Sequence, residues 1–375
     1  MNARITVFPL GNADTSRLDL RDGRKVLIDY ADMLDRNDPS DRRIDLPAEL
    51  RTDLRAARRD HFDVACFTHL DGDHVQGADS FFWFEHADKY QGPGRIKIAE
   101  LWVPASAITE VGTDGAARVI RQEAKFRLKK GSGVRVFSRP DALKAWLEQN
   151  GLTLESRRHL ITDAGQLVPG FTLDGPEAVE FFIHSPFGFR RNQREVEDRN
   201  QDSVVFQVTF REGVRDTRAL FMADLAWQGL KDIIQITRVH RRDSRLHWDM
   251  AKLAHHCSYT ALSEEKGKDI TEPDPDIRWL HEEAGQRRSV MVSTSKPIAA
   301  RGSDEDNDPQ PPHRQAANYY KGVQEHRDGD FVVTMERPLC DPKPIVIEVT
   351  GGGAVLRSTV MLPAAAIATT PVRAG

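Results

Sequence analysis

The chain has 375 residues, of which 39% are hydrophobic and 29% are charged, enough apolar material for one large domain or two ordinary ones. This composition excludes disordered and fibrous proteins, and no apolar run approaches the roughly 18 residues of a membrane helix, so we expect a cytoplasmic protein with no membrane contact. Its 53 basic and 57 acidic residues give a net charge of −4, so the molecule as a whole does not attract a polyanion.

The beginning of the chain predicts strands on either side of a helix. The strand over 25–29 ends in the carboxylate of Asp29, and the strand over 62–67 runs directly into the polar segment from His69 to His74. Alternating strands and helices predict an α/β fold with its chemistry at the strand ends. The predicted elements are a hairpin strand over 5–10, a turn over 11–14, a strand over 25–29, a helix over 47–59 and a strand over 62–67.

Residues 80–175 differ in character from their surroundings. We interpret them as an insertion within a single domain that spans residues 1–375. The insertion carries one strand, a basic helical stretch and a second helix, predicted over 96–103, 116–130 and 140–149.

Strand patterns resume after this insertion. Two loops rich in Asp and Pro, over 264–276 and 302–312, are expected to be mobile, and the tail over 363–375 is expected to be flexible. We interpret the last three strands as a second half-sheet. The predicted elements are strands over 179–183, 203–210, 220–222 and 253–254, a helix over 227–236, and late strands over 289–293, 331–335 and 345–350.

Four potential metal ligands lie within six residues after the strand over 62–67, namely His69, Asp71, Asp73 and His74. Alternate side chains of a loop can point to opposite sides of one site. His69 and Asp71 can therefore serve one cation while Asp73 and His74 serve a second one nearby. The alternative is an Asp-Gly turn with two incidental histidines. The three cysteines are too few for a four-Cys zinc site, so any metal must be held by His and carboxylates.

This segment resembles the hallmark of the metallo-β-lactamase superfamily, His-x-His-x-Asp-His after a strand. The version with Asp in the second slot, as at Asp71, is similar to the soluble metallo-β-lactamase-like domain of the competence protein ComEC and its stand-alone relatives. Further matches in the family's order are Gly11-Asn12-Ala13-Asp14, Leu27-Ile28-Asp29, His184-Ser185-Pro186, Asn200-Gln201-Asp202-Ser203, Met222-Ala223-Asp224, His255-His256-Cys257-Ser258 and Pro312-His313.

Three of these matches depart from the family pattern at positions where it has glycine. Ala13, Ala223 and Cys257 stand there, and they bear on backbone geometry rather than on ligands. A small buried residue is the favoured interpretation of Cys257, with an extra soft ligand as the alternative.

The resemblance implies an αββα four-layer sandwich with a dinuclear metal centre. The implied ligands are His69, Asp71 and His184 around one metal, Asp73, His74 and one of His255 or His256 around the other, and Asp224 bridging both. The alternative for His184 is a strand-end histidine without a metal. Asp29 cannot reach a metal without crowding, so we expect it to orient a ligand imidazole through its other ring nitrogen.

This ligand set also indicates the chemistry. A carboxylate at Asp71 makes the site harder, which favours Mn²⁺ or Mg²⁺, with Zn²⁺ still possible. A water between two divalent ions becomes a hydroxide nucleophile near neutral pH, so Asp73 and Asp224 are assigned to the catalytic centre. His313 is predicted to protonate the leaving group if its loop folds over the site, with an ordinary loop histidine as the alternative.

Local basic clusters offer contacts to a nucleic acid despite the negative net charge, although solvated faces are the alternative. Further clusters lie over 190–194 and 238–245. The candidate contacts are Lys125, Arg127, Lys129, Lys130, Arg241 and Arg242.

We therefore predict a metal-dependent hydrolase, a phosphodiesterase or nuclease acting on nucleic acid, in a multi-protein setting such as a defence system. One alternative is a hydrolase of a small ester, lactone or nucleotide. Another is a metal-stabilised protein that docks a partner through residues 80–175.

Overall fold

The computed structural model describes residues 2–187 and 200–357, which fold into two β-sheets flanked by helices. The basic cluster over 190–194 and the tail over 363–375 lie outside the described residues. No helix in the two described ranges is long and apolar enough to cross a membrane.

The strands belong to two sheets. In chain order they are β1 (Arg4–Val7), β2 (Ser16–Asp19), β3 (Lys25–Ile28), β4 (His61–Cys66), β5 (Lys97–Pro104), β6 (Val134–Phe137), β7 (Ile161–Thr162), β8 (Val179–Ser185), β9 (Val205–Glu212), β10 (Arg215–Phe221), β11 (Trp248–Lys252), β12 (Gly285–Ser293), β13 (Asp330–Val333), β14 (Ile345–Thr350) and β15 (Gly353–Arg357).

The α-helices vary in length from a single turn to sixteen residues. They are α1 (Leu46–Ala56), α2 (Gly72–Val75), α3 (Ala78–Phe81), α4 (Ser106–Thr109), α5 (Gly115–Lys130), α6 (Asp141–Gln149), α7 (Leu154–Arg157), α8 (Trp227–Val239), α9 (Pro275–Glu282) and α10 (Arg314–Arg327).

The first sheet has nine strands in the order β15-β14-β1-β2-β3-β4-β5-β6-β7, and the second has six in the order β13-β12-β11-β10-β9-β8. Neighbours from β3 to β7 are parallel, as are neighbours from β10 to β13. Parallel strands end at the same edge of a sheet, so the loops that follow β3, β4, β10 and β11 are grouped at strand ends, where α/β proteins place their sites.

Three hydrophobic cores separate four layers. Along β4, Val64 and Cys66 face the core between the two sheets, whereas Phe62 belongs to the core beneath α1 and α5. The third core packs α8, α9 and α10 against the outer face of the second sheet. The expected α/β class and αββα layer order are therefore confirmed.

Helix α1 shows how the chain sets such an outer layer. The side chain of Asp45 accepts a hydrogen bond from the backbone N–H of Ala48, which caps the first turn. Leu46, Leu50 and Leu54 keep helical spacing and are buried against the first sheet. The opposite face of α1 is thereby left to polar residues.

Some sequence predictions of local structure need correction. Strand β14 pairs with β1 in the first sheet, so the late strands do not form one half-sheet. The strand expected over 253–254 lies instead at β11, because the chain turns after Lys252 into a short 3-10 helix. Residues 80–175 supply β5, β6 and β7 to the first sheet, and their description as an insertion stays a prediction.

Candidate metal centre

Polar side chains from both sheets meet where the strands end. The loop and short helix α2 after β4 carry His74, the loop after β10 carries Asp224, and the turn after β11 carries His256. Backbone hydrogen bonds fix the segment after β4 to two other loops of the first sheet. The N–H of Asp14, in the β1–β2 turn, donates to the carbonyl of Asp73 at 3.0 Å, and the N–H of Tyr30 donates to the carbonyl of His74 at 3.0 Å.

Four buried side chains form a cluster there. One donor atom from each of Asp14, His74, Asp224 and His256 lies within 4.8 Å of the other three. Asp224 is at the centre, with Oδ2 at 3.4 Å from Nε2 of His74 and 3.3 Å from Nε2 of His256. Asp73, which is partly exposed, brings its Oδ2 to 3.1 Å from the same nitrogen of His256.

Three imidazoles at this place share one arrangement. His74 Nδ1 lies 2.9 Å from Oδ2 of Asp29, and His256 Nδ1 lies 2.8 Å from the carbonyl oxygen of Thr294. His69 Nδ1 lies 3.1 Å from the hydroxyl of Thr68. An Nδ1–H held by an oxygen leaves Nε2 with its lone pair, which is the tautomer that binds a metal.

Asp29 lies behind the imidazole of His74, and its predicted role of orienting a metal ligand stays a prediction. Its carboxylate accepts hydrogen bonds from the N–H of Thr68 at 2.7 Å and from the Thr68 hydroxyl at 2.8 Å, besides contacting His74. The side chain is therefore held on three sides, and it fixes the ring orientation of His74.

The buried carboxylates of the cluster carry negative charge that a cation would compensate. Burial lowers the pKa of His256, but the carboxylates of Asp224 and Asp73 outweigh burial and raise the pKa to about 10. Burial likewise works against the charged form of His74, yet Asp224 and Asp29 hold its pKa well above the usual value. Without a metal, the imidazoles therefore take up protons to balance the buried carboxylates.

Unpartnered atoms agree with this reading of the charges. Buried atoms without a hydrogen-bond partner include Oδ1 of Asp14, Oδ1 of Asp224, and Nε2 of both His69 and His74. Leaving such atoms unpaired is costly, and carboxylate oxygens and imidazole nitrogens are ligands for divalent ions. The donor set of this structure fits a divalent metal ion.

The backbone of the cluster adopts an uncommon conformation. Ala223 has φ 48° and Cys257 has φ 65°, both in the left-handed region that glycine enters freely. These are two of the three positions where the chain departs from the glycines of the resembled family. His255 and His256 share this region, with φ 50° and 52°. Such strain gathers at functional sites.

Two predicted ligands do not join the cluster. Val179, Phe181 and Ile183 of β8 face the core between the sheets, whereas His184 packs against Phe182 on the opposite face, where the register of the strand is irregular. There its Nε2 lies 2.9 Å from the carbonyl of Arg245, against α8. We therefore leave His184 out of the proposed ligand set.

His255 is the second residue that stands apart. Its Nδ1 lies 3.5 Å from the hydroxyl of Thr260, whereas the next residue, His256, reaches the cluster. The structure thus distinguishes the two histidines that the sequence left as alternatives, and we propose His256 as the ligand.

His69 and Asp71 lie beside the cluster. The ring of His69 is 3.9 Å from the ring of His74 between centroids, and its Nε2 is 3.7 Å from Oδ2 of Asp71. A second cation held by His69 and Asp71 stays a prediction.

His313 lies at the start of α10, buried against the ring of Tyr259. Its Nδ1 accepts the N–H of Tyr259 at 3.3 Å, so the neutral ring carries its proton on Nε2, which has no hydrogen-bond partner. Burial and the ammonium of Lys266 lower the pKa of His313 to about 4. At neutral pH this side chain is a neutral hydrogen-bond donor, and its role in protonating a leaving group stays a prediction.

The loop before His313 is held near the first turn of the chain. The side-chain amide of Asn12 donates to the carbonyl of Pro311 at 2.5 Å, and its Oδ1 accepts the N–H of Lys296 at 3.0 Å. These contacts bring His313 to the same side of the molecule as Asp14.

Two residues of this region were missed by the sequence analysis as members of the site. Asp14 was noted only as part of a turn, and Lys252 was not singled out. The Lys252 ammonium is buried, contacts the carboxylate of Asp14, and lies 3.9 Å from Oδ1 of Asp224. A lysine at the end of a strand otherwise rich in apolar residues was the available signal.

The residues predicted to contact nucleic acid differ in their exposure and in their partners. Arg127 is only 1% exposed, because it donates to Glu123 and to backbone carbonyls, so it is not available to a ligand and that prediction is wrong. Lys130 is exposed but pairs with Glu85 at 2.5 Å. Lys125 and Lys129 each lie 5.6 Å from the ring of Trp146.

The two arginines after α8 are both exposed. Arg242 donates to the carbonyl of Gly165 at 2.7 Å, and Arg241 takes a left-handed backbone conformation with φ 54°. Their role as nucleic-acid contacts stays a prediction.

A basic groove of about 900 Å³ runs along the outer side of α1. We call it the α1 groove. Three of its guanidinium groups, those of Arg51, Arg55 and Arg95, contact no carboxylate among the described residues. The half-buried indole of Trp83 also lines this groove. Its residues come from two separate segments, so no local run of basic residues announced it.

No protein-family model matches this chain, and no curated protein matches it significantly. Among solved structures, a new diphosphatase from the PhnP family is similar at 11% identity and a TM-score of 0.33, over 78% of this chain and 87% of that chain. A B3 metallo-β-lactamase with an active-site glutamic acid gives 11% identity and a TM-score of 0.31, over 72% and 84%.

A third similar structure is the class B3 di-zinc metallo-β-lactamase LRA-12 from an Alaskan soil metagenome. It gives 11% identity and a TM-score of 0.29, over 70% of this chain and 79% of that chain. At these scores the likenesses carry no argument about activity, and the four-layer arrangement rests on the packing of the sheets and helices themselves.

Proposed function

We propose that the protein is a metal-dependent hydrolase that cleaves phosphodiesters, with nucleic acid as its substrate. One observation carries the proposal. The imidazoles of His74 and His256 each have Nδ1 on an oxygen and Nε2 directed at Asp224, so three donor groups converge on one point. This arrangement suits a divalent ion better than a purely structural ion pair, because each Nε2 would otherwise stay unsatisfied or protonated.

The proposed ligands are His74, Asp224, His256 and Asp73, with His69 and Asp71 available to a second ion. A bound divalent ion supplies an acidified water as nucleophile and offsets the negative charge that develops on phosphoryl oxygens. Carboxylate-rich donor sets favour Mn²⁺ or Mg²⁺, while the imidazoles also suit Zn²⁺.

The chain's own residues orient the metal-binding imidazoles and offer a hydrogen bond to the leaving group. Asp29 and the Thr294 carbonyl hold the two imidazoles in fixed ring orientations, which preserves the position of their Nε2 atoms. His313 presents a neutral Nε2–H, which we assign to hydrogen bonding with the leaving-group oxygen. Asp73, with its pKa lowered to about 2 by His256 and His74 against the effect of burial, stays an anion over the working pH range.

Two features support a nucleic-acid substrate. The α1 groove combines uncompensated guanidinium groups with an aromatic side chain, the combination that binds single strands through phosphates and stacked bases. Contacts also connect this groove to the segment that follows His74. Arg36 in the groove pairs with Asp32 at 3.1 Å, and the N–H of Asp32 donates to the carbonyl of Gln76 at 2.9 Å, two residues beyond His74.

The decisive experiment is hydrolysis of bis-p-nitrophenyl phosphate by chelator-treated protein before and after Mn²⁺ or Zn²⁺ is restored. We expect turnover to require the metal and to fall by at least about a thousandfold in Asp224→Asn, because that carboxylate touches both imidazoles. Asp249→Asn is the matched control, since Asp249 is a buried carboxylate on β11 that pairs with Arg215 away from the cluster. Metal-independent turnover, or equal losses in the two variants, would contradict the proposal.

A further inference from the structure

Lys252 places a positive charge inside the cluster without being a ligand. The residue ends β11 and is only 3% exposed, so its ammonium is almost entirely shielded from water. The Nζ atom contacts Oδ2 of Asp14 and lies 3.5 Å from the carbonyl oxygen of Ala223. A buried ammonium is retained only where anions compensate its lost hydration, and here the anions are those of the candidate metal centre.

The two central carboxylates face cations on different sides. Asp224 directs Oδ2 toward the imidazoles of His74 and His256, whereas its Oδ1 lies 3.9 Å from Nζ of Lys252. Asp14 directs Oδ2 to Lys252, and the same oxygen is 3.9 Å from Nε2 of His74. Lys252 and an ion between the imidazoles would therefore draw on the same pair of carboxylates.

We propose that Lys252 is a built-in counter-ion that keeps Asp14 out of the metal's coordination shell and so limits how tightly the centre holds a divalent cation. The inference rests on the metal centre of the proposed function. It makes Asp14 a partner of the ammonium rather than a ligand, although a donor atom of Asp14 lies within 4.8 Å of the three other cluster residues.

Two physical effects act in the same direction. The ammonium repels a divalent ion across a short, poorly screened distance, which weakens binding of the ion. It also neutralises Asp14, which is otherwise an additional anionic oxygen donor with a free Oδ1. Removal of the ammonium therefore frees a ligand and removes a repulsion at the same time.

The test is a cycle of Lys252→Met, Asp14→Asn and the double variant, each compared with the wild type. Lys25→Met is the matched control, because Lys25 is an equally buried lysine paired with Asp19 and Asp53 away from the centre. The measurements are the Kd for Mn²⁺ by calorimetric titration of chelator-treated protein and the Tm of each variant with and without the metal.

We expect Lys252→Met to bind Mn²⁺ at least about tenfold more tightly and to melt at a lower temperature without metal, because Asp14 is then uncompensated. Asp14→Asn should bind at least about tenfold more weakly, since the released ammonium turns to Asp224. The double variant loses both charges and should return to within about threefold of the wild-type Kd. Lys25→Met should lower the Tm and leave the Kd unchanged.

Two results would overturn the inference, and a third would show instead that the proposed function fails. If Lys252→Met binds Mn²⁺ equally or more weakly, the ammonium is not a competing charge. If the double variant stays at least tenfold weaker than the wild type, Asp14 is a ligand and the inference is wrong. The double variant removes the ion pair as a unit, so it keeps the test valid if Lys252→Met does not fold without metal. If the wild type binds no Mn²⁺ or Zn²⁺ at all, the proposed function itself fails.

Discussion

Two buried groups of charged side chains lie on the first sheet, and they are organised in opposite ways. The group on β2 and β3 pairs Arg17 with Asp19 at 3.0 Å and Lys25 with Asp53 at 2.8 Å. Arg17 also reaches Asp53, and Lys25 also reaches Asp19, so two buried bases and two acids compensate one another. The partly exposed guanidinium of Arg4 contacts Asp19 from the edge of this set at 3.3 Å. We call these four residues the closed ion-pair group.

The candidate metal centre has no such balance. Asp14, Asp29, Asp73 and Asp224 bring four carboxylates, and within the described ranges Lys252 supplies the one permanently positive side chain among them. In the closed group the bases hold the acids ionised, while in the metal centre histidines must take up protons to do so. The comparison teaches that the number of buried charges does not mark a binding site, whereas their imbalance does.

The largest effect on stability is expected when one member of the closed ion-pair group is replaced. Lys25→Met leaves the buried Asp19 and the half-buried Asp53 with less compensation, so we expect the free energy of unfolding to fall by about 3 kcal/mol. Urea unfolding measures this. Metal content, determined by elemental analysis on the same sample, should not change. A variant that retains its stability would show that the group is sufficiently hydrated to need no partner.

The next effect is on metal-linked stability. Saturating metal stabilises a protein by about 2.7 kcal/mol at a concentration of one hundred times Kd. We expect His256→Ala to lose this gain, because its Nε2 is one of the converging donors. His184→Ala should keep the gain, since that imidazole lies on the far face of β8. Thermal unfolding with and without Mn²⁺ tests both, and a loss in His184→Ala would restore His184 as a ligand.

A smaller loss of metal affinity is expected when Asp29, the residue that holds the imidazole of His74, is replaced. Asp29→Ala should weaken metal binding by about 10-fold to 100-fold, which is typical of a group that orients a ligand imidazole. Asp224→Ala should cost more, because Asp224 itself faces both imidazoles. Titration of chelator-treated protein with Mn²⁺ compares them. Equal losses would show that Asp29 binds the ion directly.

The closed ion-pair group also predicts a pH dependence. Burial raises the pKa of Asp19, but Arg17 and Lys25 outweigh burial, and the folded-state pKa lies below 3.8. The stabilisation is therefore complete above the unfolded-state pKa and is lost as the pH falls through the folded-state value. Urea unfolding between neutral pH and pH about 2.5 should show a steeper acid loss in the wild type than in Asp19→Asn.

The smallest effect concerns substrate guidance. If the α1 groove binds a single strand, each phosphate contact contributes about −0.7 to the slope of log affinity against log salt. Replacing both Arg51 and Arg55 by glutamate should flatten that slope and raise the KM for long single-stranded DNA. Hydrolysis of bis-p-nitrophenyl phosphate should be unchanged. Lys129 and Lys130, at the end of α5, are the alternative binding surface. If only their neutralisation changes the slope and the KM, the DNA binds at α5 rather than in the α1 groove.

Sequence reasoning went furthest where chemistry is local. The segment from His69 to His74 predicts a metal site, because a strand end and the loop after it are contiguous in the chain. The face of His184 was also indicated by the sequence, since Val179, Phe181 and Ile183 alternate on β8, although the register of the strand is irregular between Ile183 and Ser185. Family resemblance outweighed that simpler pattern.

Other features depend on contacts between distant residues. The partnership of Lys252 with Asp14 joins positions 238 residues apart, and no local signal specifies it. Arg127 looks like a surface cation in the chain, yet it fills a buried position of α5 opposite Glu123, four residues earlier. Helix α10 was missed because its buried alanines and tyrosines follow a polar, proline-rich loop that carries no helical pattern.

The proposed ligands are divided between the two sheets, and this division has a consequence for synthesis of the protein. His74 follows β4 in the first sheet, while Asp224 and His256 follow β10 and β11 in the second. A nascent chain that has emerged only as far as β7 therefore carries no complete centre. We expect that truncated or half-translated chains are inert toward nucleic acid, and that a captured ion ties the two sheets together once both are formed.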